Sequence, residues 1–472
     1  MFSASTPVVF CDYFRIPYSV EPDRSPGGRL QWDWLSRGER TLTWPRGGDL
    51  DAPALVRVGS VPVFVRLASE EAMSEPLAAT GSWKPLLPIV DESGRQTGSV
   101  WQEERGSIAL PFDPSEAIES FWSEAYRAPA GTSAAGRAKQ LAMRAYYRAR
   151  PLLPRRAQIG MRRLFSRVQA RSAFPRWPLE PALHDLYDLL FAWVARVAGE
   201  PVPWIGPWPS GRSWALVLTH DVETRLGYEH VHVLREVERR AGVRSSWNFV
   251  PKRYAVGDAV VEELLAAGFE VGVHGLYHDG RDVESEATLR ERLPEIRRFA
   301  ERWRAVGFRS PATHRDWDLM PLLGFDYDSS SPDTDPFEPQ SGGCCSLLPF
   351  FNRELVELPI TLPQDHTLFV ILSHQDESAW VEKAAAIRRA GGMALLITHP
   401  DYMIEPRLVE LYERFLARHS DDPTLWKALP RDVAGWWRRR AASHVVPADK
   451  GWRVVGPAAD EASLRFAEPG AS

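Results

Sequence analysis

Trp214-Ala-Leu-Val-Leu-Thr-His-Asp-Val-Glu223 is an apolar run that stops abruptly in His220, Asp221 and Glu223. An unbroken apolar run bounded by turn residues is the pattern of a strand buried on both faces of an α/β protein. Side chains that bind metals or carry protons, set at the C-terminal end of such a strand, are where barrel folds hold their chemistry. About fifty residues later Gly268-Phe-Glu-Val-Gly-Val273 runs into His274-Gly-Leu-Tyr-His278. The two strand ends are expected to meet at one metal.

Downstream of Trp214 the pattern alternates. Further strands are expected at Ser245–Val250, Gly307–Arg309, Phe325–Asp328, Leu355–Thr361, Leu368–Leu372 and Met393–Thr398. Helical spacing falls near Ala259–Ala267, Glu284–Arg304, Leu319–Leu323 and Glu377–Ala390, the last stopped by Gly391-Gly392. Strands alternating with helices imply a parallel sheet or a (β/α) barrel. We place this domain at 206–442, followed by a C-terminal tail, 443–472, expected to fray.

Residues 1–130 carry short apolar runs, a hairpin pattern around Glu92-Ser-Gly-Arg95 and a helical stretch from Pro114 to Tyr126. They predict a smaller α+β domain without a chemical motif. Residues 131–205 form a basic helical linker region: between Arg137 and Arg176 stand about a dozen Lys or Arg and no Asp or Glu. Such a segment either docks on an anionic membrane surface or lipid-linked glycan, or packs as a solvated face against the acidic remainder. Pro201-Val-Pro-Trp-Ile-Gly-Pro-Trp-Pro-Ser-Gly211 is expected to be irregular, because its prolines remove donors and fix φ.

The 472 residues carry a net charge of −5, which gives no global affinity for nucleic acid. Three cysteines, two of them adjacent at Cys344 and Cys345, make no disulfide framework. Neither a signal peptide nor an apolar run of membrane-spanning length is legible. The expected location is the cytoplasm, with peripheral membrane contact through the basic segment.

Two His four apart plus a carboxylate form an N/O ligand set suited to a divalent metal, with Zn²⁺ the best match. Gly275 follows His274 where a metalloprotease helix carries Glu, so the motif supplies no base of its own. Asp221 is the candidate base. It stands two residues from Glu223, on the same side of an extended chain. His220, Arg309 and His399 also have plain structural readings, as packing residue, ion-pair partner and strand cap.

The set resembles the polysaccharide deacetylase superfamily (NodB-type, carbohydrate esterase family 4) over roughly Ser213–Arg440. Thr219-His-Asp-Val-Glu223 is similar to the first motif, His274-Gly-Leu-Tyr-His278 to the second, Arg309-Ser-Pro-Ala312 to the third and Leu396-Ile-Thr-His399 to the last. The resemblance implies an irregular (β/α) barrel of NodB type. It implies Glu223, His274 and His278 as metal ligands, Asp221 as general base, Arg309 as its partner and His399 as general acid. It places Pro311, Tyr327, Asp328 and His366 along a substrate groove. Glu223 departs from the family's usual Asp by one methylene.

The implied function is metal-dependent hydrolysis of N-acetyl groups on a polysaccharide, oligosaccharide or lipid-linked glycan. The alternatives are a related C–N hydrolase acting on a small amide, and a glycan-binding protein without catalysis.

Overall fold

The computed structural model describes residues 1–21, 30–48, 50–80, 82–127 and 173–470, with Gly160, Arg163, Ser166 and Gln169 between them. The amphipathic helix expected at Ala157–Val168, with the membrane contact assigned to it, lies outside the described residues apart from those isolated positions. The chain divides into two compact units. One comprises Met1–Ala130, Pro181–Ser210 and Arg439–Ser472; the other comprises Gly131–Glu180 and Gly211–Arg438.

The second unit is built on the quoted strand. All nine residues of Trp214–Val222 are buried. Parallel neighbours flank the strand: Met393–Thr398 on one side, and Ser246–Phe249 and Leu425–Ala428 on the other. Beyond Ser246–Phe249 follow Glu270–His274, Gly307–Arg309, Tyr327–Asp328 and Leu355–Glu357, each parallel to the last. Phe350–Asn352 adds an antiparallel edge. The chain after Glu357 then returns to the far side. Thr361 N and Leu362 N both donate to Leu395 O, at 3.3 and 3.0 Å, which closes the sheet into an irregular barrel.

Helices between these strands supply the outer layer, each started by a recognisable signal. Thr224 caps Arg225–Arg240 by accepting from Leu226 N. Ser285 caps Glu286–Trp303 by accepting from Thr288 N. Their apolar stripes and both sheet faces share one core that includes Trp214, Trp247, Phe249, Trp303 and Trp380. Because the strands that carry or precede them run parallel, Asp221, Asn248, His274, Arg309 and His399 all come to the same end of the barrel.

Leu368–Leu372, expected as a strand, instead lies in a helical turn spanning His366–Ile371. The apolar run is short, and periodicity alone does not separate a buried strand from a buried turn of helix.

The first unit holds a mostly antiparallel nine-stranded sheet. Its order is Tyr18–Val20, Phe2–Ala4, Leu30–Arg37, Arg40–Gly48, Ile108–Ala109, Gln96–Glu103, Trp83–Val90, Ala54–Val58 and Val61–Val65. Helices Pro114–Trp122 and Ala182–Ala198 pack on it. The stretch from Pro201, expected to be irregular, contains a strand, Val202–Ile205, paired antiparallel with Leu464–Ala467. The pair stands alone as a two-stranded ribbon, where Pro203 need not donate to a second neighbour. Where a frayed tail was expected, residues 443–470 hold three strands, His444–Pro447, Trp452–Val455 and Leu464–Ala467. Their buried anchor is Arg440, which donates to the carbonyls of Tyr13, Ile205 and Gly206 at 2.8–3.0 Å.

Among the described residues, no helix is long and apolar enough to cross a membrane.

Candidate metal centre and its surroundings

Strand register sets the first contacts. Asp221 stands opposite Asn248, and Asn248 stands opposite Gly272. Asn248 Nδ2 donates to Asp221 Oδ1 at 2.9 Å. A Cβ at position 272 would come within 2.1 Å of Asn248 Oδ1, so glycine there leaves room for this side chain. His274 stands opposite Arg309. Its Nδ1 donates to the Arg309 carbonyl at 3.1 Å, which fixes the tautomer and leaves Nε2 with a lone pair.

Arg309 is fully buried and spreads its guanidinium over three partners. Nη1 donates to Asp221 Oδ2 at 3.3 Å, Nη2 to Thr219 Oγ1 at 3.3 Å, and Nε and Nη2 to Ser329 Oγ at 3.0 and 2.8 Å. Burial alone would raise the Asp221 carboxyl. The charges of Arg309, His274 and His399 and the Asn248 hydrogen bond outweigh it and bring the pKa down to about 2. Asp221 is therefore a held carboxylate at neutral pH.

Glu223, His274 and His278 offer ligand atoms that all lie within 4.8 Å of one another. His278 Nε2 donates to Glu223 Oε1 at 3.1 Å. Tyr402 Oη donates to the other oxygen, Oε2, at 3.3 Å. His274 Nε2 is buried without any hydrogen-bond partner and lies 3.9 Å from Asp221 Oδ2. Burial holds the His274 imidazole down to about 4, so it is neutral at pH 7. Burial would raise Glu223, but the His278 hydrogen bond and the surrounding histidines hold it well below the carboxylate range.

These residues fit a divalent metal. An orphaned imidazole nitrogen, a second imidazole and an ionised carboxylate converge, and both His274 and Glu223 are oriented by outer hydrogen bonds.

The loop after Met393–Thr398 holds the other side. His399 Nδ1 donates to Asp365 Oδ1 at 2.6 Å, and His399 N to Asp365 Oδ2 at 2.7 Å. Burial would lower the imidazole, but Asp365, joined by Glu223 and Asp221, raises it to about 10. His399 Nε2 lies 3.8 Å from Glu223 Oε1. Asp401 grips the first strand end, accepting from Glu223 N and Thr224 N at 2.9 Å each. A Cβ on Gly227 would collide with Asp401 Oδ2 at 2.1 Å, so the first turn of the helix following Glu223 needs glycine there.

Asp221, Glu223, His274, His278, Arg309 and His399 thus come together. Pro311 packs against the His274-Gly275 turn: at φ +60° a Cβ on Gly275 would meet Pro311 Cγ at 2.6 Å. His366 follows Asp365, and its ring centroid is 4.8 Å from that of Tyr402. Tyr327 and Asp328, expected along the groove, turn inward. Tyr327 is buried and its hydroxyl donates to Glu270 Oε1 at 2.7 Å, at the far end of the His274 strand. It turns that way because Gly307, its register partner, leaves space for the ring. Asp328 is buried and accepts from Ser330 N and Ser330 Oγ, both at 2.7 Å.

Asn248, Asp365, Asp401 and Tyr402 were not singled out by sequence. Asn248 is a polar residue between Trp247 and Phe249, and Asp365 directly precedes His366. Only the register and the barrel closure bring them to the site.

No family model matches the chain, and no curated protein matches it. Among solved structures, the chain is similar to a protein assigned as a polysaccharide deacetylase from Mycobacterium smegmatis. The identity is 21%, over 49% of this chain and 93% of that one, with a TM-score of 0.42. It is similar to a protein assigned as a polysaccharide deacetylase from Pseudomonas aeruginosa PAO1, at 19% identity over 49% and 93%, with a TM-score of 0.40. It is also similar to Puue allantoinase, at 16% identity over 49% and 92%, with a TM-score of 0.40.

Proposed function

We propose that the chain is a metal-dependent hydrolase of amide bonds that releases acetate from an N-acetylated glycan or lipid-linked glycan. The observation that carries this reading is the orphaned, buried Nε2 of His274. It converges with Glu223 and His278, and the carboxylate of Asp221 lies 3.9 Å away.

Glu223, His274 and His278 would hold the metal. A bound divalent cation such as Zn²⁺ supplies Lewis acidity, polarising an acyl oxygen and acidifying water. The remaining work falls to the chain's own groups. Asp221 accepts the proton of the attacking water. Arg309 and Asn248 hold Asp221 in place through both oxygens, and the Arg309 charge keeps it ionised. His399 is kept protonated by Asp365, so it enters the reaction as an acid and donates to the departing amine. Acid and base are separated by environment, a guanidinium beside one and a carboxylate beside the other.

The test is acetate release from N-acetylhexosamine oligomers and lipid-linked N-acetyl sugars, with and without chelator, beside small linear and cyclic amides. Chelator-sensitive release from the sugars is expected. Turnover of the small amides alone would replace the glycan by the small-amide reading. No turnover of anything by metal-loaded protein would sink both.

A further inference from the structure

We propose that Tyr277 is a stacking platform for a pyranose ring of the substrate, set at the rim one residue before His278. The proposal rests on the hydrolase reading above and names part of its specificity.

Tyr277 is 48% exposed, although it lies between buried Leu276 and the half-buried His278. Large apolar side chains are exposed at only four described positions of its unit, Leu226, Tyr277, Leu322 and Ile404. Three of them stand within five residues of Glu223, His278 or His399. Single exposed apolar residues are ordinary, but three beside the segments that carry one site fit a binding rim.

The ring is also held in place. Arg292 Cζ lies over one face, 5.1 Å from the centroid. Its guanidinium is locked by carboxylates: Nη1 donates to Asp279 Oδ1 and Asp282 Oδ1 at 2.7 and 2.8 Å, and Nη2 to Asp279 Oδ2 at 2.7 Å. Asp282 also accepts from Leu276 N at 3.2 Å, and the Leu276 carbonyl accepts from Lys252 N at 3.0 Å. Gly275 and His278 both take φ near +60°, which fixes the shape of the intervening turn.

One face of the ring therefore already carries a cation, and the other offers a flat apolar surface edged by charge and a hydroxyl. A pyranose matches that surface. Its axial C–H face is apolar and its perimeter is polar. A platform that is rigid before binding loses little conformational freedom on binding.

The test is calorimetric titration of the full chain with an N-acetylglucosamine tetramer, with acetate release measured in parallel. Tyr277→Ala is expected to bind about ten-fold more weakly, and Tyr277→Phe and Tyr277→Trp to bind like the unsubstituted protein. The two aromatic variants separate stacking from damage to the loop. Equal binding by Tyr277→Ala, or no binding by the unsubstituted protein, would overturn the platform. Tyr277-dependent binding without acetate release would keep the platform and remove the hydrolase reading.

Discussion

Two histidine–carboxylate clusters occupy neighbouring positions in the barrel, and they are built differently. In the first, His220 Nδ1 meets Thr398 Oγ1 at 2.8 Å and Nε2 donates to Glu238 Oε1 at 2.7 Å. Tyr412 Oη also donates to Glu238 Oε1, and Ser245 Oγ to Oε2, both at 2.6 Å. Every polar atom of both side chains is used, and the imidazole lies against Trp247 with centroids 4.1 Å apart. In the second, His274 is equally buried, yet its Nε2 meets no donor or acceptor, and Glu223 and His278 converge beside it. Burial of the central histidine does not separate the two; satisfaction does. A saturated network is a structural tie, and a buried nitrogen left open is a place for something to bind.

The contrast breaks first at Asp221. Asp221→Asn should lower kcat by about 10³–10⁴-fold, while metal content, read by elemental analysis, stays at the unsubstituted level. A loss of metal in step with activity would move Asp221 into the ligand set.

Glu238→Ala attacks the saturated cluster. Removing the carboxylate leaves the buried donors of His220, Tyr412 and Ser245 unsatisfied, at about 1–3 kcal/mol each. Chemical denaturation should show a loss of that order, with metal per folded chain unchanged. An unaltered midpoint accompanied by lost metal would reverse the assignment of the two clusters.

Tyr402→Phe removes the hydroxyl from Glu223 Oε2. Metal affinity in chelator competition should fall roughly ten-fold, the scale of an outer hydrogen bond to a ligand, with little change in thermal midpoint. Unchanged affinity would show that Glu223 needs no such support.

The smallest effect lies at the opposite end of the His274 strand. Burial raises Glu270 to about 7, against the opposing hydrogen bonds from Arg431 N and Tyr327 Oη. A folded pKa above the unfolded one contributes stability at low pH that is lost as pH rises through about 7. Glu270→Gln should therefore gain on the unsubstituted protein by about 1 kcal/mol between pH 6 and pH 8 in denaturant titrations. A gap that stays constant with pH would contradict a protonated Glu270.

What was legible in the sequence followed from two strand ends. Trp214–Val222 is apolar on both faces, so its burial and its polar terminus could be read directly, as could His274 and His278 at the end of the next such run. Residues that depend on register were less visible. Asn248 reaches Asp221 only because Gly272 leaves room beside it, and Asp365 reaches His399 only after the barrel closes through Leu395. The direction of the Tyr327 ring was not legible, because a position at a strand end does not say which way a ring turns, and Gly307 decides that. The nine-stranded sheet of the other unit was mostly missed. Its strands mix Trp, Pro and Gly with polar residues, so no clean alternation marks them. The Val202–Ile205 strand was hidden by its own proline, although its partner, Leu464–Ala467, lies in the C-terminal tail.

The most direct measurement is acetate release from an N-acetylhexosamine oligomer by metal-stripped protein titrated with Zn²⁺, run beside His274→Ala. Activity of the unsubstituted protein is expected to return in full at one metal per chain, while His274→Ala stays inactive and binds no metal at that concentration. Full acetate release by the stripped protein, or by His274→Ala, would contradict a metal centre built on Glu223, His274 and His278.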